Sequence, residues 1–445
     1  MATEQLTHTG EATELLRTLI RNACVNDGTP DSGGERRNAD TLQTYLEGAG
    51  LEVEQFTPRS DRTSIVARIE GRDPSAPKLC LMGHTDVVPV SPAGWSRDPF
   101  GGEVIDGEIW GRGAVDMLNI TASMAVAFRE LAHTGFRPKG DIIYFGVADE
   151  EAGGVFGAKW MVDHHWDAIA CDYVLTEMGG WSHQGGRKVG ISVGEKGIAW
   201  RRLTVNGTPG HGSMPYGADN AVLKAAEVVK RLGEYRPAAK LDEMWAARVM
   251  ATSLADDVKA GLLDPNRLEA TLAMLPVPTA KLLHACTHTT ISPNVVHGGV
   301  KTNVIPDSVE IDVDIRTLPG EDSDRVTQYL REALGDLLDD IDVSALFNDQ
   351  SSISPMHNEL WNILQRRTQV VYPNAELLPE LIVGGTDSRF FRQKGAVAYG
   401  TGLFGPSVSF EQFVSRFHGH DERVDVESLG MSTDYWLGIC HDLSA

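Results

Sequence analysis

The sequence contains nothing approaching the roughly eighteen consecutive apolar residues that a membrane-crossing helix needs. Cysteine is scarce. Cys24, Cys80, Cys171, Cys286 and Cys440 lie far apart and form no CxxC pair. An odd, scattered set argues against a disulfide framework and for reduced thiols in a cytoplasm. Basic residues are in short supply: 40 Lys and Arg stand against 62 Asp and Glu, a formal net charge of −22. A chain this acidic repels nucleic-acid phosphates and anionic membranes. Met1 to Gly10 is polar and lacks the apolar stretch that precedes a leader cleavage site. There is no internal repeat and no low-complexity tract. Together these absences predict a cytoplasmic protein with neither a nucleic acid nor a membrane as partner.

What is present is a chain of 445 residues, too long for one ordinary core, so two domains are expected. Hydrophobic residues at 42% and charged residues at 23% give the balance of a folded globular protein. The acidic surplus serves solubility. It also suits a site built from several carboxylates, which needs cations to neutralise it.

Amphipathic helices are predicted over 11–26 and 35–48. Short strand-like runs follow at Leu51–Phe56, Thr63–Ile69, Lys78–Met82, Ile142–Val147 and Asp172–Thr176, with a helix at Ile120–Ala132. Strands alternating with helices predict an α/β layer with a mixed, largely parallel sheet. The pattern changes near Gly197. A strand at Ile198–Val205, a helix at Asn220–Leu232, strands at His288–Ser292 and Val309–Ile315, a helix at Arg325–Leu338 and a strand at Val343–Phe347 read as βαββαβ. That is a ferredoxin-like α+β unit with an irregular, partly helical insertion at 234–285. The expected layout is a catalytic domain in two segments, 1–196 and 351–445, around an inserted lid or dimerisation domain at 197–350.

Five segments place an acid or a histidine at a strand end or in a turn. Gly83-His84-Thr85-Asp86-Val87-Val88-Pro89 delivers a histidine with a carboxylate two residues on. Such a carboxylate is the partner a metal-bound imidazole needs. Gly111-Arg112-Gly113-Ala114-Val115-Asp116-Met117 presents an aspartate from a glycine turn. Asp149-Glu150-Glu151 follows an apolar strand, and Glu177 follows Leu175-Thr176. Phe417-His418-Gly419-His420-Asp421-Glu422 closes the series. Each segment alone is a weak signal: a capped loop or a solvated helix start looks the same. Their joint placement at the strand ends of one α/β sheet, where ligands bind, carries the argument.

This set resembles the M20 metallopeptidases, the family of aminoacylase-1, glutamate carboxypeptidase and succinyl-diaminopimelate desuccinylase, along nearly the whole chain. Leu118 and Asn119 depart from the lysine or glycine that many members carry after the Asp-Met pair. The resemblance implies a zinc-exopeptidase-like fold and two Zn²⁺ per subunit, with Co²⁺ or Mn²⁺ as alternatives. It implies that Asp116 bridges the metals, that His84 and Glu177 complete one site, and that Glu151 and His418 complete the other. Glu150 would be the general base and Asp86 would orient His84. The chemistry is coherent in itself. Imidazole and carboxylate suit zinc. Two metals about 3.5–4 Å apart can hold a hydroxide and polarise a carbonyl, and a non-ligating glutamate can shuttle its proton. The resemblance further implies a cis peptide bond after Asp116.

The loop Gly207 to Pro215 matches the family's histidine-bearing loop. It makes His211 the donor to the oxyanion, supplied by the neighbouring subunit in dimeric members. The spacing His-x-x-Asp-Glu selects His418 over His420. Asn303, Arg316 and the glycine loop carrying Gly385 and Thr386 resemble segments that hold the substrate, with Arg316 suited to clamp a carboxylate. Glu177, where aminopeptidases and dipeptidases of the family tend to have Asp, favours an N-acyl amino acid or a peptide cut beside a free carboxylate. A homodimer is expected. The rival readings are a dipeptidase of the same fold and a non-catalytic metal-binding protein that kept the fold.

Overall fold

A computed structural model of the chain describes residues 8–29, 31–406, 408 and 410–445. Met1 to Thr7, most of the segment read as lacking a leader, lies outside the described residues. None of the described helices is long and apolar enough to cross a membrane.

The larger sheet has ten strands. Its main path runs Val53–Arg59, Arg62–Ile69, Ile142–Val147, Leu79–His84, Tyr173–Thr176, Val397–Gly400, Lys188–Glu195, Ser352–Ile353. The four neighbours from Ile142–Val147 to Val397–Gly400 are parallel. Ile142–Val147 and Leu79–His84 are buried along their whole length. They read as unbroken apolar runs because helices cover the sheet. The helix Leu118–His133 packs against Leu79–His84 and is itself covered by His8–Arg21 and Val426–Leu443. Gly83 permits that approach, since a Cβ there would lie 2.4 Å from Thr121 Oγ1. The mixed, centrally parallel sheet is the α/β layer expected from the sequence.

The smaller sheet has the strand order Thr290–Gly298, Ser308–Thr317, Gly197–Asn206, Ile341–Asp349, all antiparallel. Numbered by position in the chain, that is the ferredoxin-like order 2-3-1-4. Gly197–Asn206 and Ser308–Thr317 alternate buried and more open residues. Leu203, Val205, Ile311 and Val313 point into a core with Val228, Leu232, Val326 and Leu330 of the two covering helices. Those helices, Ala221–Glu234 and Ser323–Leu334, start where Asn220 and Asp322 accept hydrogen bonds from the backbone N–H groups of Val222 and Arg325.

One strand of the fold was not expected, and the insertion expected to be irregular and partly helical is more regular than that. Lys188–Glu195 is a strand of the larger sheet, bonded to Val397–Gly400 and parallel to Glu376–Ile382. Its glycines, Gly190 and Gly194, lower its strand propensity, so only its buried partners reveal it. The insertion at 234–285 contains four helices, Glu243–Ala251, Asp256–Leu262, Leu268–Leu272 and Val277–Thr287. Their Trp245, Val249, Leu262, Leu283 and Cys286 share the large core with Leu377 and Leu381 of the larger sheet. Trp245 also donates from Nε1 to the Leu262 carbonyl at 2.9 Å.

Candidate active site

His84 is the last residue of its strand, and Glu177 follows Tyr173–Thr176 directly. Glu150 and Glu151 sit in a short 3-10 turn just past Ile142–Val147, entered through Asp149 at φ 69°. Asp116 precedes the helix Leu118–His133, and its bond to Met117 is cis. His418 lies beyond the helix Phe410–Arg416 at φ 53°. Gly400 lets the neighbouring strand pass Glu177, because a Cβ there would fall 1.9 Å from the Glu177 carbonyl.

These elements bring the side chains together in two groups that share one residue. His84, Asp116 and Glu177 form one group and Asp116, Glu151 and His418 the other, with the donor atoms of each within 4.8 Å of one another. Asp116 turns one oxygen to each imidazole: Oδ1 is 3.1 Å from His84 Nε2, and Oδ2 is 2.8 Å from His418 Nε2. Glu177 Oε2 lies 3.8 Å from His84 Nε2, and Glu151 Oε2 lies 3.5 Å from His418 Nε2. Glu151 Oε1 is buried without a hydrogen-bond partner. Two imidazoles, a bridging carboxylate and an unsatisfied buried carboxylate oxygen form a donor set that fits a pair of divalent ions.

The protonation pattern follows from this crowding. Burial and then the Asp116 charge push the Glu177 carboxyl up to about 8. Burial and Asp116 likewise push Glu151 up to about 7. Burial also raises Asp116, but the His418 and His84 imidazoles outweigh it and hold that carboxyl low. Burial disfavours a charged His418, yet Asp116 and Glu151 outweigh it and push the imidazole up to about 10. The cluster stabilises positive charge wherever it can be placed. Glu150 belongs to neither group. Burial, followed by repulsion from Glu177, holds its carboxyl well above the usual range.

Asp86 acts mainly on the backbone. Its carboxylate accepts from the N–H groups of Glu150 at 3.3 Å and Glu151 at 3.1 Å, and from Asn26 Nδ2 at 2.8 Å. His84 Nδ1 is 3.0 Å from the Asp86 carbonyl and 3.6 Å from the carboxylate. Nδ1–H therefore donates to the carbonyl, and Nε2 faces the cluster. Glu422 plays the equivalent part for Asp116. It accepts from the N–H groups of Val115 at 2.7 Å and Asp116 at 3.1 Å, and pairs with Arg112 at 2.6 Å. Arg112 also reaches the His418 carbonyl at 3.4 Å. The sequence shows Arg112 and Glu422 inside the motifs, but their partnership spans the chain and has no local signal.

A cavity of about 380 Å³ opens beside the groups. Asp116, Glu150, Glu151, Glu177 and His418 form its polar end, and Gly384, Gly385 and Thr386 one edge. Met178, Trp181, Leu282, Ile382, Phe413 and Phe417 make the rest strongly apolar. Arg248 also lines it, 3.3 Å from the buried Glu380, and was not singled out from the sequence. The Thr386 N–H donates to Glu195. Among the described residues, His211, Asn303 and Arg316 do not line this cavity. His211 and Asn303 are exposed together on the smaller-sheet unit, where the Gly212 N–H donates to the Asn303 carbonyl at 2.9 Å. Arg316 pairs with Asp314 at 2.7 Å and lies over Trp200.

Shared-carboxylate donor groups at the strand ends of an α/β sheet, with a free glutamate beside them, define a metallohydrolase of amide bonds. The chain belongs to peptidase family M20/M25/M40, which matches residues 80–442. It is 28% identical over 391 residues to an N-fatty-acyl-amino acid synthase/hydrolase of Xenopus tropicalis, covering 83% of this chain and 73% of that protein. It is 27% identical over 424 residues to a succinyl-diaminopimelate desuccinylase of Parvibaculum lavamentivorans, covering 94% and 92%. An M20 family metallo-carboxypeptidase from Sulfolobus solfataricus has the same fold, with a TM-score of 0.72 at 17% identity over 98% and 99% of the two chains.

The Glu422 contacts generate a prediction. Glu422→Ala frees the Val115 and Asp116 amides and takes the carboxylate partner from Arg112 without replacing a candidate ligand. Metal affinity is expected to fall by about 10–100-fold, the usual effect of losing a residue that orients a ligand. Competition against a chelator reads this directly. An unchanged affinity in a folded variant would show that Asp116 is held by other means.

Proposed function

We propose that the chain hydrolyses the amide bond of an N-acyl amino acid, or of a peptide beside a free carboxylate, with Glu150 as general base. The observation that carries this reading is one cavity with a strongly apolar wall and a polar end to which both candidate metal groups contribute residues beside Glu150. His84, Asp116 and Glu177 would hold one Zn²⁺, and Asp116, Glu151 and His418 the other. When bound, the ions would acidify the attacking water and polarise the scissile carbonyl.

The chain's own residues supply the rest. Glu150 faces the cavity unbound to either group and is held by Asp86 through its backbone. Its carboxylate takes the proton as water adds to the carbonyl, then passes that proton to the leaving nitrogen as the C–N bond breaks. A carboxyl with a raised proton affinity can both accept and return it. The wall of Trp181, Phe413 and Phe417 suits an apolar acyl group and would desolvate a charged peptide N-terminus at a cost. This favours an acylated substrate, as the name of the Xenopus relative also does. Arg248 is the guanidinium that lines the cavity in the same chain. His211, Asn303 and Arg316 would act from a second subunit, in keeping with their position away from this cavity.

A panel of N-acyl amino acids and dipeptides tests the substrate class on zinc-reconstituted protein. Each methylene kept inside the apolar wall contributes about 0.8 kcal/mol, so adding two to four to an acetyl group should raise kcat/KM by roughly one to two orders of magnitude. Faster turnover of unblocked dipeptides would establish a dipeptidase instead. No turnover of any substrate with metal bound would leave a non-catalytic metal-binding protein.

The assignment of the base has its own test. Glu150→Ala should keep its metal content and lose about 10²–10⁴ in kcat. Loss of a metal would make Glu150 a ligand, and full kcat would require another base. Mixed with His211→Ala, the same variant should regain activity, because a shared-site heterodimer has one site with both defects and one with neither. No recovery despite verified subunit exchange would place His211 in its own chain's site or outside catalysis.

A further inference from the structure

Among the described residues a third group of metal-donor side chains stands apart from the catalytic cavity: Glu269, His284 and His288. The two histidines are one helical turn apart at the end of Val277–Thr287, with His288 capping that helix. Residues four apart lie on the same helical face, and here their rings are parallel, 4.0 Å between centroids at 7°. Glu269, on Leu268–Leu272, faces them across a short turn, its Oε1 3.4 Å from His288 Nε2. The orientation of His288 is fixed from behind. Its Nδ1 is 3.1 Å from the His284 carbonyl and 2.9 Å from Thr287 Oγ1. A proton held on Nδ1 by the carbonyl leaves the Nε2 lone pair directed at Glu269, which is how metal-binding imidazoles are ordinarily held.

We propose that Glu269, His284 and His288 form a second, non-catalytic site for a divalent transition ion, with Zn²⁺ the best match to one carboxylate and two imidazoles. Zn–N and Zn–O distances are about 2.0–2.2 Å, so the ligands must close by rotation of their side chains. Glu269 is exposed and His284 partly so, which leaves both free to turn while buried His288 stays fixed. Exposure on the Glu269 side leaves the fourth position to water. The site would tie Leu268–Leu272 to Val277–Thr287, the helix that contributes Leu282 to the catalytic cavity. Lys196 donates to the carbonyls of Ala285 at 2.9 Å and His288 at 2.7 Å, so the helix end is already fastened where the chain passes from the larger sheet to the smaller. An ion here would brace the cavity wall rather than take part in the reaction.

The test compares the full chain with Glu269→Gln and His284→Ala, chosen because neither residue is fully buried. After saturation of the catalytic groups, Zn²⁺ is titrated by calorimetry and metal content is counted after gel filtration. The unmodified chain should bind one equivalent more than either variant. Its melting temperature should rise on adding that equivalent, and the variants' should not. Co²⁺ should give the same one-equivalent difference in its visible absorption. Equal stoichiometry in the chain and both variants, including extra binding that survives both substitutions, overturns the proposal. The difference in bound metal between the chain and its variants is counted whatever the catalytic groups hold and whatever reaction they catalyse.

Discussion

Four carboxylates, Asp116, Glu150, Glu151 and Glu177, share one cavity at the strand ends of the larger sheet. Two unit charges 4 Å apart interact with about 4 kcal/mol at the effective dielectric of a protein. Glu177 and Glu151 each lie within 4.8 Å of Asp116. The neighbouring guanidinium groups are each ion-paired with a carboxylate outside the cluster. Arg62 is paired with Glu35 and Asp149, Arg112 with Glu422, and Arg389 with Asp349. His84 and His418 are the basic groups that contact the cluster directly. A fold that keeps such a cluster must bring in cations or leave protons on it, and the raised Glu151, Glu177 and His418 follow from that constraint.

Holding like charges together takes a scaffold that pulls on the backbone. Asp86 grips the amides of Glu150 and Glu151, and Glu422 grips those of Val115 and Asp116. Each is a buried acid whose charge is spent on N–H donors instead of on the metal groups. Behind Asp86 lie Asn26 and Asp149, and Asp149 is paired to Arg62. Removing one member leaves its partners buried and unsatisfied, which costs more than the bond itself contributed. The backbone that carries Asp116, Glu150 and Glu151 is therefore held by the protein's own hydrogen bonds. That is the preorganisation a catalytic centre needs.

The parts of this arrangement visible in the sequence are those with a local signature. His84, Asp116, Glu150, Glu151, Glu177 and His418 each stand next to a strand end or a glycine turn, and the chain order of the elements follows from hydrophobic period. Three of the central parallel strands, Leu79–His84, Ile142–Val147 and Tyr173–Thr176, were legible because their apolar runs are bounded. Lys188–Glu195 was not, since Gly190 and Gly194 dilute it and its burial comes from Glu376–Ile382, nearly two hundred residues on. The Glu422–Arg112 pair and the Arg248–Glu380 pair were hidden for the same reason: each joins segments with no sequence proximity. The helices at 243–287 read only as an irregular, partly helical stretch because their apolar residues match the surface of the larger sheet and not a period of their own.

The apolar half of the cavity bears on the polar half. Phe417 belongs to the wall, and its ring stacks on His418 with 4.6 Å between centroids at 20°. Phe413 packs on Phe417 and on Trp181 in turn. An apolar group filling the wall would lie against the ring that stacks on His418 and would displace water from the carboxylates opposite. Lower local polarity strengthens every charge interaction in the cavity, including the hold of Asp116 on both imidazoles. Among the candidate metal donors at this cavity, His418 is the one left substantially open. Occupancy of the wall would close that side and complete a site whose other donors are buried from the start. A substrate seated against the wall would thus meet the second candidate metal group through one aromatic contact.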